Sequence, residues 1–142
     1  MKHPVRDNCY LASWFLVVDD LEASLDFYTR LGFEKTASVG IDAWVLRLGE
    51  FRLDLWNRSL FDPKVRQDLT YPIASHLLLR VADDAAFSAL AEHAHEESLN
   101  IMVDRHSDPA SRNRMILQDP DGNIVEILQE ELYFLEPARS DQ

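Results

Sequence analysis

Cysteine is almost absent from this chain. Cys9 is the only one in 142 residues, so no intrachain disulfide can form, and a lone thiol suits a reducing cytosol. Glycine is scarce as well: there are four, and none belongs to a glycine-rich loop that would cradle a phosphate. Positive charge is in short supply, with 14 Lys and Arg against 25 Asp and Glu for a formal charge of −11. An acidic balance of this size repels phosphate backbones and anionic lipid, which removes the usual electrostatic footprint of a nucleic-acid-binding protein. Long hydrophobic runs are missing too. The N-terminal apolar run covers only Leu11 to Val18 and meets Asp19 and Asp20, so it reads as neither a signal peptide nor a membrane span. A cytoplasmic protein is expected, with neither nucleic acid nor membrane among its partners.

The chain has 46% hydrophobic residues and is long enough to remove roughly two-thirds of its unfolded surface from water. A single domain over residues 1–142 therefore needs no covalent staples. Within it, one unit is written twice. Trp14 to Val18 is a β-branched and aromatic run. Asp19 follows, with Glu22 three residues later in the pattern of a capping box, and Leu21, Leu25, Tyr28 and Leu31 then repeat at helical spacing up to Gly32. The spacing predicts a helix over Leu21 to Leu31. Strands are predicted at Phe33 to Val39, Ile41 to Leu48 and Phe51 to Trp56, the last two joined at Gly49 and Glu50. The second half repeats this order at an offset of 63 residues, which relates Val18 to Val81 and Ser13 to His76. His76 to Val81 reads as a strand, Asp83 and Asp84 as a cap, and Phe87, Leu90, Ala91 and Ala94 as one helical stripe. Asn100 to Asp104, Met115 to Gln118 and Asn123 to Leu128 complete the strands, the last pair turning through Asp119 to Gly122. The resulting organisation is a first βαβββ module over 9–56, a linker over 57–74, a second module over 75–130 and a polar tail over 131–142.

Side chains alternate faces along a strand, and each helix covers one face of its sheet. Phe51, Leu53 and Leu55 are therefore assigned to the helix side, which leaves Arg52, Asp54 and Trp56 on the other. In the last strand Glu126 is embedded between Val125 and Ile127 and takes the corresponding place. On the leading strands Ser13, Phe15 and Val17, and in the second module His76, Leu78 and Arg80, look away from the helices. Trp14 and Trp44 are expected in the helix-side core. Arg47, Arg52 and Arg80 also look away from the helices by this parity, and either pair with Asp54 and Glu126 or meet an anionic substrate. His93 and His95 stand two apart on the second helix and are read as a solvated face with Glu92, Glu96 and Glu97. Asp104, His106 and Asp108 fall in a loop, as candidates for the mouth of the site.

Two strings, FLVVDDLEASLDFYTRLGF and MILQDPDGNIVEILQ, resemble the vicinal oxygen chelate superfamily, which includes glyoxalase I, extradiol dioxygenases and bleomycin-resistance proteins. The resemblance implies an α+β fold of two tandem βαβββ modules whose curved mixed sheets form a cup with helices outside, often completed across a homodimer. It implies further that a divalent ion, where one is used, sits at Ser13, Asp54, His76 and Glu126. His76 and Glu126 match the family pattern and Asp54 is a shorter acidic substitute. Ser13 departs from it, because metal-binding relatives carry a histidine there and a hydroxyl is a poor ligand.

Two functions are consistent with these residues. In the first, the cup binds a small hydrophobic or cationic molecule through Ser13, Phe15, Arg52, Trp56 and Arg80, with no cofactor. In the second, one divalent metal (Mn, Fe, Ni or Zn) on His76, Glu126 and Asp54 serves a lyase, isomerase or dioxygenase. Glu126 or Asp54 would then be the catalytic carboxylate, and a glyoxalase-like lyase suits the ligands better than a dioxygenase, which needs a second histidine.

Overall fold

The computed structural model describes residues 13–60, 75–111 and 113–129. Cys9, most of the expected linker, Arg112 and the expected tail lie outside the described residues. The chain divides into two compact units, one in each half of the sequence, and each is a βαβββ module of the α+β class. Among the described residues no helix is long and apolar enough to cross a membrane.

The first module runs β1 (Trp14–Val18), α1 (Leu21–Leu31), β2 (Glu34–Val39), β3 (Ala43–Leu48) and β4 (Phe51–Asn57). Its sheet has the order β1-β4-β3-β2, with β1 parallel to β4 and the other pairs antiparallel. The helix begins where Asp20, in extended conformation, accepts a hydrogen bond from the Ala23 N–H at 3.1 Å. The capping residue is thus Asp20 and not Asp19, whose carboxylate instead pairs with Arg58. α1 ends at Gly32, where φ of +128° suits a residue without Cβ and the amide reaches the Tyr28 and Thr29 carbonyls. Leu21, Ser24, Phe27, Tyr28 and Leu31 form its buried stripe. On the sheet, Leu16, Val18, Leu46, Leu53 and Leu55 are all nearly or fully buried. Tyr28 stands edge-on to both Phe27 and Phe33, with centroids 5.0 and 5.6 Å away. Each of these large side chains contributes about 1.5–3 kcal/mol by leaving water.

The second module runs β5 (His76–Val81), α2 (Asp84–Glu96), β6 (Ile101–Val103), β7 (Arg114–Gln118) and β8 (Ile124–Gln129). The sheet order is β5-β8-β7-β6, again with the first pair parallel. Asp83 caps α2 by accepting from the Ala86 N–H at 2.8 Å, 63 residues after Asp20 does the same for α1. Phe87 and Ala94 of α2 are buried with Leu77, Met115, Leu117, Val125 and Ile127. The turn between β7 and β8 is built by Asp119, whose Oδ1 accepts from the Asp121 and Asn123 amides. Asn123 in turn accepts from the Ser75 amide at 3.0 Å, and the Ile124 amide donates to the Ser75 carbonyl at 2.8 Å. The start of β5, and with it His76, is thereby pinned to the start of β8.

Three expectations need correction. Trp14 has the parity of the core but sits at the first position of β1 and is 43% exposed. Trp44 is only half-buried, and Lys35 lies over its ring at 5.3 Å. β3 also begins at Ala43, because Gly40 with positive φ and the 89%-exposed Ile41 belong to the connection before it.

Candidate functional site

Strand register decides which side chains share a face. In the first module Asp54 is paired with Phe15 on one side and Val45 on the other, Trp56 with Val17 and Ala43, and Arg52 with Arg47. Leu53 and Leu55 carry the opposite parity and are fully buried. Arg52, Asp54 and Trp56 therefore lie on the sheet face away from α1, as do Phe15 and Arg47. Ser13 is half-buried immediately before β1 and shares the parity of Phe15.

Asp54 is 7% exposed on this face, a placement a carboxylate tolerates only with a partner. Arg52 supplies it: Nε donates to Oδ1 at 2.8 Å and Nη2 to Oδ2 at 2.9 Å, a bidentate pairing. The hydrogen bonds and charge of Asp54 push the Arg52 guanidinium above its ordinary value, so it stays a cation throughout the working range. Beside the pair, Phe15 and Trp56 meet edge-on with centroids 6.2 Å apart and planes at 70°. Phe15 is 53% exposed.

In the second module Glu126 pairs in register with Leu78 and Ile116, and Leu128 lies between Arg80 and Arg114. His76, Leu78, Arg80, Arg114 and Glu126 thus share the face away from α2. His76 Nε2 lies 2.7 Å from Glu126 Oε2, and Arg114 Nε lies 3.4 Å from Oε1. The structure therefore joins two of the residues singled out from sequence, His76 and Glu126, and adds Arg114. Arg114 follows a loop across which strand alternation cannot be counted, so its direction becomes visible only with the β7–β8 register. Arg80 is on the expected face.

Of the loop residues expected at the mouth of the site, Asp104 and His106 lie beside α2. Asp104 Oδ2 is 3.1 Å from His95 Nε2 on α2, and both, with His106, line a cleft of about 360 Å³ on the helix side of the second module. Its Oδ1 accepts from the His106 and Ser107 amides. Hydrogen bonds from Ser107, and with them those from His106 and His95, hold the Asp104 carboxyl below the ordinary aspartate range, against the opposing effect of burial. His95 is accordingly a loop-to-helix tie and not merely part of a solvated helix face.

The divalent ion implied by the resemblance finds a poor donor set. Both oxygens of Asp54 accept from Arg52, Arg114 faces one oxygen of Glu126, and Ser13 offers only a hydroxyl. Among the described residues, neither module gathers three His, Cys, Asp or Glu side chains that could hold a metal. The residues present do not fit the ion.

Comparison with known proteins agrees with this architecture. The model of the Glyoxalase/Bleomycin resistance protein/Dioxygenase superfamily matches residues 10–127. A comparison with curated proteins yields no match. Among solved structures, lactoylglutathione lyase from Agrobacterium tumefaciens is similar over 92% of this chain and 98% of its own, at 20% identity and a TM-score of 0.67. An integron cassette protein from the mobile metagenome of V. cholerae is similar over 89% of this chain and 98% of its own, at 21% identity and a TM-score of 0.64. A glyoxalase/bleomycin resistance protein/dioxygenase from Alicyclobacillus acidocaldarius covers 88% of this chain and 94% of its own, at 21% identity and a TM-score of 0.60. At such identities the structural likeness speaks for the fold alone. With the family model spanning most of its length, the chain belongs to the Glyoxalase/Bleomycin resistance protein/Dioxygenase superfamily.

Proposed function

We propose that this protein binds a small hydrophobic or cationic molecule on the helix-free sheet faces, in the manner of the bleomycin-resistance members of its family. A second copy of the chain completes the site in this reading, and the cytosol is its compartment. The observation that carries the reading is the Phe15–Trp56 pair: a half-exposed aromatic edge-on to an indole, on the face that carries the buried Asp54. Aromatic rings aimed away from the core offer a flat apolar ligand contact area at little entropic cost, and their faces attract a cation. Ser13 and Arg52 supply the polar contacts that orient it, and Arg80 offers a cation on the corresponding face of the second module. The metal-dependent lyase, isomerase or dioxygenase reading is disfavoured, because Arg52 and Arg114 pair with its carboxylate ligands.

The test is tryptophan fluorescence during titration with a panel of flat cationic and neutral aromatic compounds. Saturable quenching is expected for at least one class, and it should largely disappear in Trp56→Phe, which retains Trp14 and Trp44. Phe15→Ala should weaken binding by about 0.5–1.5 kcal/mol, the contribution of one aromatic contact beyond its buried area. Quenching that survives undiminished in Trp56→Phe would place the ligand elsewhere.

A further inference from the structure

We infer that Arg52 and Arg114 are built-in cations standing in for a divalent ion: they neutralise and immobilise Asp54 and Glu126 and block metal coordination by them. The inference rests on the reading of the helix-free faces as the ligand site and adds how the carboxylates of that site are held. In the first module the guanidinium comes from the same strand as its carboxylate, two residues earlier, and grips both oxygens at 2.8 and 2.9 Å. In the second it comes from the neighbouring strand, reaching diagonally from the register position of Leu128 to Glu126 at 3.4 Å.

The two arginines do not correspond in the repeat. The strand order that matches Asp54 of β4 to Glu126 of β8, an offset of 72, puts the counterpart of Arg52 at Ile124 and that of Arg114 at Ala43. Each module therefore meets the same requirement from a different position. That is expected if the requirement is a cation at the carboxylate, and not if the pairs were a shared relic of duplication. The chemistry is also specific. A guanidinium presents a planar fork of donors that is always charged, so it satisfies a half-buried carboxylate at every physiological pH without depending on a free ion. Among the described residues, His76, 2.7 Å from the other oxygen of Glu126, is the neighbouring side chain that could join Glu126 on a metal. Arg114 is what stands beside that pair.

The experiment is a titration of the full chain with Ni²⁺ and Zn²⁺, read by calorimetry and by the assigned His76 imidazole resonances, which separates this residue from the other histidines. Arg114→Met keeps the apolar stem and removes the charge at a side chain that is 47% exposed, so folding is preserved. The wild type is expected to show no saturable shift of His76. Arg114→Met is expected to bind one ion about tenfold more tightly or better, a change equivalent to roughly 1.4 kcal/mol, and the gain should vanish in Arg114→Met/His76→Ala. Stoichiometric binding at His76 in the wild type overturns the inference, as does an Arg114→Met affinity within about twofold of wild type. Absence of any fluorescence response to the aromatic panel overturns the binding reading alone, since the metal titration does not use that ligand.

Discussion

A carboxylate set among hydrophobic strand residues is informative at the scale of one side chain, because burial forces it to find a partner. Asp54 satisfies that demand with Arg52, and Glu126 with His76 and Arg114, so alternation along β4 and β8 gives the face of the two acids and cannot by itself name what holds them. Arg52 was legible as a same-face neighbour. Arg114 was not, since its placement depends on the β7–β8 register across a loop. Asp104 makes a separate prediction at this scale. Its carboxyl titrates below the ordinary aspartate value of about 3.9, so in that interval the unfolded chain binds the proton more readily than the folded one. Its contribution to stability is therefore present above the unfolded value and is lost as pH falls through the depressed folded value. Asp104→Asn should destabilise the protein by about 1–3 kcal/mol at neutral pH, because loop amides lose their ionised acceptor. The penalty should shrink on acidification, as denaturant midpoints measured from pH 7 down to pH 3 will show.

At the scale of elements, the sequence carried the helices and leading strands almost intact. β1, α1 and β5 have the bounds that periodicity and composition predict, because apolar spacing and flanking acids act locally. The boundaries that moved did so where local signals compete: two adjacent aspartates are equally good caps in sequence, and only backbone conformation selects Asp20 over Asp19. Asp20→Ala and Asp83→Ala should each cost about 1 kcal/mol by thermal or chemical denaturation, whereas Asp19→Ala should cost clearly less, since it removes an exposed pairing with Arg58 and leaves the helix cap in place. Core positions should respond more strongly. Leu53→Ala removes a fully buried side chain beneath α1 and should cost about 2–5 kcal/mol. The tie between His95 and Asp104 was not legible, because helix-to-loop contacts leave no period in the sequence.

For the whole molecule, the tandem repeat decides most of the account. Two βαβββ units, each with one helix on one sheet face, have a helix-free face each, and Arg52, Asp54, Trp56, His76 and Glu126 fall on those faces. Family membership follows from the same pattern, but the activities of distant relatives do not, since ligand sets on a shared fold change with single residues such as Ser13. The homodimer proposed here predicts a sedimentation mass of twice the chain at micromolar concentration, and a monomer would leave the site to a single chain. The most direct measurement is a chemical-shift map of the isotopically labelled protein titrated with the best compound of the aromatic panel. Shifts concentrated on Phe15, Arg52, Trp56 and the neighbouring residues of β1 and β4 are the predicted result. Shifts confined to the α1 and α2 sides, or to the cleft beside His95 and Asp104, would contradict it.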